Sequence, residues 1–148
     1  MTDKEFLLLL PQMDVECVLL CRAINHMPGV ETTESCCGHG ERPFTVWLKA
    51  ARLRDLAVLA RAIDRRYGGP STQMPLWNDW ILSVEASDFP EKGVSLLLFS
   101  RMMGKAAYEQ ADRIAENIEY WLRHPAFMAL YVTPYLPVSQ STEEINET

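Results

Sequence analysis

The chain has 148 residues, 48% of them hydrophobic, a formal net charge of −6 and a pI near 5.0. That length suits one domain with a core large enough to fold without disulfide staples. The acidic balance argues against a general affinity for nucleic-acid phosphates, and no apolar run is long enough to span a bilayer.

The first apolar run, Phe6-Leu7-Leu8-Leu9-Leu10, is stopped by Pro11. It is too short for the apolar core of a signal peptide, and no small-residue cleavage site follows. The chain is therefore expected in the cytoplasm, where its four cysteines read as thiols.

Met13 to Met27 has helical spacing. Met13, Cys17, Leu20, Cys21, Ile24 and Met27 form the apolar stripe, Asp14 caps or charges the first turn, and Pro28-Gly29 stops it. Arg22, Asn25 and His26 fall off the stripe. Neither His26 nor His124 has a partner in this reading, and both are expected at the surface.

Val30 to Ser35 reads as a short strand. From Pro43 a second strand follows, with Phe44, Val46 and Leu48 alternating against Thr45, Trp47 and Lys49. The two suit a hairpin with the intervening loop at its tip. Leu53 to Tyr67 is expected to be a helix, buried along Leu53, Leu56, Ala57, Ala60 and Ile63 and ended by Gly68-Gly69-Pro70. Its other face carries Arg52, Arg54, Arg61, Arg65 and Arg66, an array suited to RNA phosphates or simply to solvent.

Trp80–Ala86 and Val94–Ser100 are expected strands, the latter central because Leu96-Leu97-Leu98-Phe99 is continuously apolar. Trp77 and Trp80 offer surfaces for a ring to stack on, or simply core. A long helix runs from about Lys105 to Arg123, with its stripe on Ala107, Ala111, Ile114, Ala115, Ile118 and Leu122. Phe127 to Leu136 is apolar but punctuated by Pro134, which suggests an edge strand or a homodimer interface. Residues 139–148 are polar and expected to be disordered. The order α-β-β-α-β-β-α over residues 1–138 gives a single α+β domain: a mainly antiparallel four-stranded sheet with its helices on one face.

Chemistry concentrates in Thr32-Thr33-Glu34-Ser35-Cys36-Cys37-Gly38-His39-Gly40. Gly38 and Gly40 permit positive φ, which lets a loop aim successive N–H groups at an anion. In this reading Thr33, Ser35, Cys36, Cys37, Gly38, His39 and Gly40 bind a small anionic ligand, with Trp47 flooring the pocket. Cys36 or Cys37 beside His39 also has the elements of a nucleophilic thiolate pair. A third reading gathers Cys17, Cys21, Cys36, Cys37 and His39 around zinc. A fourth takes the loop as a plain turn with buried thiols, in a non-enzymatic interaction module.

The segment from Ile24-Asn25 to His39 resembles a motif of small uncharacterised bacterial and phage proteins. In these a helix and a Pro-Gly turn lead to Ser-Cys-x-Gly-His and an aromatic strand. More distantly, Thr32, Thr33, Ser35, Cys36 and Gly38 resemble the Thr-Thr-Ser-Ser-Cys-Ser-Gly-Arg stretch of the wybutosine-synthesis methyltransferase family. That resemblance implies an α+β fold, S-adenosylmethionine as cofactor and a modified guanosine of tRNA as substrate. Glu34, Cys37 and His39 stand where that family has Ser, Ser and Arg.

Overall fold

Phe44, Val46 and Leu48 are all buried, and the strand that carries Val46 and Leu48 and begins just after Phe44 is an inner strand of the sheet. The structure, a computed structural model, describes residues 1–64, 66–67, 69–70, 79–87 and 90–132. Trp77, Arg65, the segment beyond Val132 and the expected tail lie outside them. In chain order the helices and strands are α1 (Asp3–Leu7), α2 (Val18–His26), β1 (Val30–Cys36), β2 (Thr45–Ala50) and α3 (Ala57–Ile63). These are followed by β3 (Trp80–Glu85), β4 (Val94–Ser100), α4 (Lys105–Leu122) and α5 (Pro125–Val132). The sheet order is β1-β2-β4-β3 with every pair antiparallel, so the α+β class and the central place of β4 are as expected.

Alternation along the inner strands decides which face is covered. Val46, Leu48 and Ala50 of β2 and Leu96, Leu98 and Ser100 of β4 are buried. Thr45, Trp47, Leu97 and Phe99 point the other way and are half-buried. The covered face meets α2, α3 and α4, with α4 packed against both of the others, and one apolar cluster joins them all.

In α2, Leu20, Cys21 and Ile24 are buried as the helical period requires, with Cys17 buried in the 3₁₀ turn before it. Asn25 departs from the expectation: it is buried too. Its Nδ2 donates to the Cys21 carbonyl and to Thr32 Oγ1, and its Oδ1 accepts the Thr32 N–H, each at 2.8 Å. A buried polar group without such partners would cost about 1–3 kcal/mol. This amide fixes β1 to α2 immediately before the bulge between Thr32 and Glu34.

Other expectations are corrected as well. In the second helical segment, Leu53 is 62% exposed and Ala60 is exposed. The buried positions are Asp55, Leu56, Val58, Leu59 and Ala62. The cause is Asp55, whose carboxylate accepts the Arg52 N–H at 2.7 Å. It ties down a 3₁₀ turn at Leu53–Leu56 and rotates the helix that follows. The arginines do not form one free array either. Arg61 stacks on the rings of Tyr67, Trp121 and Phe127 at 4.1, 4.5 and 4.4 Å, and Arg66 pairs with Asp64.

Of the segment Phe127 to Leu136, expected as an edge strand or a homodimer interface, the described part is not a strand but belongs to the helix Pro125–Val132. His124 Nδ1 accepts the Phe127 N–H at its start, so His124 does have a partner. His26 has two: its Nε2 lies 2.7 Å from Asp3 Oδ1 and its Nδ1 2.6 Å from Glu119 Oε1. These carboxylates come from α1 and α4, elements distant in sequence.

Candidate functional site

The hairpin β1–β2 reverses through Cys37 to Phe44. Gly38, His39 and Gly40 have φ of 81°, 54° and 78°, three successive residues in the left-handed region. Gly38 is favoured for two reasons: its φ is positive, and a Cβ there would stand 3.1 Å from the Pro43 carbonyl carbon and oxygen, tighter than ordinary contact. His39 enters this region with a full side chain, at a cost of about 1–2 kcal/mol.

Two groups stand close to the His39 ring. Nδ1 lies 3.6 Å from Cys37 Sγ and Nε2 lies 3.7 Å from Asp14 Oδ2, while the side chain stays 59% exposed. The same Asp14 Oδ2 accepts the Cys37 N–H at 2.9 Å, which holds the Asp14 carboxyl below its ordinary pKa. Asp14 sits just ahead of the 3₁₀ turn that leads into α2 and makes no side-chain cap there. Its role is thus different from the helix cap expected of it. No spacing in the sequence links Asp14 to the loop; only the fold does.

The loop's own donors are engaged. Besides Cys37 N–H on Asp14, the Gly38 N–H points at Cys36 Sγ and the His39 N–H at Cys37 Sγ, both at 3.4 Å. Glu41 and Arg42 N–H groups both reach the Gly38 carbonyl. The Cys37, Gly38 and His39 N–H groups therefore each have an acceptor, on Asp14 and on the two thiols. The His39 imidazole faces outward, 59% exposed in its side chain.

The thiols divide by burial. Cys17 and Cys21 are fully buried, and burial pushes both up, Cys21 to about 11, against the opposing effect of the Ser35 hydroxyl. Cys37 is 2% exposed and also raised by burial, and the Tyr108 hydroxyl donates to its sulfur at 3.8 Å. A buried, protonated thiol is a poor nucleophile, so contact with His39 does not make Cys37 an activated one. Cys36 is half-buried and nearer solvent.

The five-residue zinc set is corrected accordingly. Among the described residues, the Cys/His/acid group whose ligand atoms lie mutually within 4.8 Å is Asp14, Cys36 and His39. Cys17 and Cys21 belong to the core. Cys37 lies behind His39, on its other ring nitrogen.

Two further features frame the loop. A cleft of about 240 Å³ runs along β1, lined by Leu9, Gln12, Met13, Thr32, Thr33, Glu34 and Ser35. Its lining residues Met13 and Ser35 are covalently next to Asp14 and Cys36. Trp47 does not line this cleft; it lies on the outer face of the sheet, paired with Glu34 and Leu97. The start of α4 comes against the loop, with a Cβ on Gly104 reaching to 3.9 Å from Gly40 Cα. No side chain caps that helix, and its first turn carries Lys105 and no acid.

No family model, curated protein or solved structure matches this chain.

Proposed function

We propose that the protein binds a small anionic ligand at the end of the sheet where the loop from Thr32 to Gly40 meets α4. The observation that carries this reading is the placement of the uncapped N-terminus of an 18-residue helix beside Gly40, next to a solvent-facing His39 held in a strained conformation. A helix N-terminus presents unpaired N–H groups and the positive end of the helix dipole. Lys105, 89% exposed in its side chain and 3.9 Å from Glu109 Oε1, is free to swing toward that end. The binding groups are then the α4 N-terminus, Lys105 and His39, while Thr33 and Ser35 in the adjoining cleft contact the uncharged part of the ligand. Nucleotides are the ligand class to try first, with short RNA and, through its carboxylate alone, S-adenosylmethionine beside them.

Thermal-shift measurements on wild type, His39→Ala and Lys105→Ala test it. A ligand at roughly a hundred-fold over its Kd should raise the wild-type Tm by about 5–10 °C. Both substitutions should reduce that shift while leaving the unliganded Tm nearly unchanged. An unliganded Tm lowered by several degrees in His39→Ala, with no anion effect on wild type, contradicts the reading.

A second reading, a homodimer through the segment from Phe127 to Leu136, is favoured by α5. Its sequence, Pro125 to Val132, has no charged residue, and Leu130 is 77% exposed. Sedimentation of wild type and Leu130→Glu decides it: a dimer in the first and a monomer in the second support it, and two monomers reject it.

A further inference from the structure

Asp14, Cys36 and His39 bring a carboxylate, a thiol and an imidazole together from two separate parts of the chain, at a point open to water. We propose that these three residues bind a divalent transition-metal ion of zinc type, with at least one coordination position left for an exchangeable ligand. The inference stands apart from the anion reading, although both use His39.

The donor set suits zinc, which takes N, S and O ligands in a tetrahedron. Two N or O ligands about 2.1 Å from one tetrahedral ion lie about 3.4 Å apart, and an N–S pair about 3.6 Å apart. The 3.7 Å between His39 Nε2 and Asp14 Oδ2, within a group spanning no more than 4.8 Å, needs only a small contraction to close on an ion. Side-chain exposures of 59% for His39 and 29% for Asp14 leave an entry path. Three protein ligands with an open fourth position is the arrangement of reactive zinc sites rather than closed structural ones.

The surroundings do what outer-shell groups do in metal sites. Cys37 N–H orients the Asp14 carboxylate at 2.9 Å. Gly38 N–H points at Cys36 Sγ and stabilises charge on that sulfur. The second ring nitrogen of His39, Nδ1, faces Cys37 Sγ at 3.6 Å, which fixes the ring with Nε2 turned to Asp14. The left-handed φ of His39 gains a reason: it swings the imidazole back over Asp14.

The test uses the full chain, stripped with EDTA and then titrated with zinc chloride by calorimetry and with cobalt(II) by absorbance. Wild type should bind one ion, and the cobalt form should show a thiolate-to-metal charge-transfer band. Cys36→Ser should abolish that band, and Cys36→Ser, His39→Ala and Asp14→Asn should each weaken zinc binding by about ten-fold or more. Cys21→Ala, with folding verified by circular dichroism, should leave it unchanged. No ion bound, or binding indifferent to Cys36 and His39, overturns the proposal. Inorganic phosphate is added to both stripped and zinc-loaded protein. A phosphate shift in stripped protein that fails to bind zinc removes the metal site and keeps the anion reading. Stoichiometric zinc with no phosphate effect in either form does the reverse.

Discussion

The Asp14 carboxylate accepts the backbone N–H of Cys37 across 23 positions of sequence, at 2.9 Å. This bond clamps the hairpin tip to the chain entering α2. Asp14→Ala removes the acceptor and leaves a half-buried N–H unpaired, which should destabilise the fold by about 1–3 kcal/mol. Asp14→Asn keeps an oxygen in place and should retain most of that stability. Urea unfolding of the two variants measures the difference; equal losses would show that the bond does not matter.

The glycines of the loop should respond unequally. Gly38→Ala meets both a positive φ and the Pro43 carbonyl at 3.1 Å, whereas Gly40→Ala meets the φ alone, with no atom within 4 Å. The expected losses are about 2 kcal/mol or more for Gly38→Ala and about 1 kcal/mol for Gly40→Ala. Chemical denaturation ranks them, and the reverse ranking would contradict the path of the loop over Pro43.

His26 gives the fold a pH dependence. Burial pushes its pKa down, but the hydrogen bonds with Asp3 and Glu119 outweigh it and the net shift is upward from 6.5. Stability from the imidazolium is therefore complete below the unfolded pKa of about 6.5 and is lost as pH rises through the raised folded value. Asp3, lowered chiefly by the His26 hydrogen bond, adds stability above its unfolded pKa of about 3.9 that is lost in more acid solution. Stability should be greatest between about pH 4.5 and 6.5. His26→Gln should remove the alkaline loss, about 1 kcal/mol, from Tm measured across pH 5 to 9. An unchanged alkaline slope would rule out this triad as its source.

Asn25 is the buried polar contact on which the start of β1 depends. Asn25→Ala removes three hydrogen bonds and leaves the Thr32 N–H unpaired, an expected loss of about 2–3 kcal/mol by denaturant unfolding. A loss below about 0.5 kcal/mol would mean that β1 is held otherwise.

These predictions draw on features of unequal visibility in the sequence. Local periodicity carries the fold: the alternation of Phe44, Val46 and Leu48 and the stripe from Ala107 to Ile118 are both buried as read. It fails where one polar side chain resets the register, as Asp55 does for α3. It fails also at α5, where the apolar run and the proline beyond it suit a strand as well as a helix. The loop is visible from its residue types, but its chemistry is not. Asp14 enters through a contact 23 residues away, and Cys17 and Cys21 leave the zinc set because the period that exposes them to a ligand equally places them in the core.

The most direct test of the account is to locate binding at the loop. Amide proton–nitrogen spectra of ¹⁵N-labelled protein are recorded on addition of zinc chloride and then of phosphate. Shifts are expected centred on Asp14, Ser35 to Gly40 and the first turn of α4, with α5 unaffected. Spectra in which these amides stay in place at saturating zinc and phosphate, or in which shifts gather at α5 instead, would contradict it.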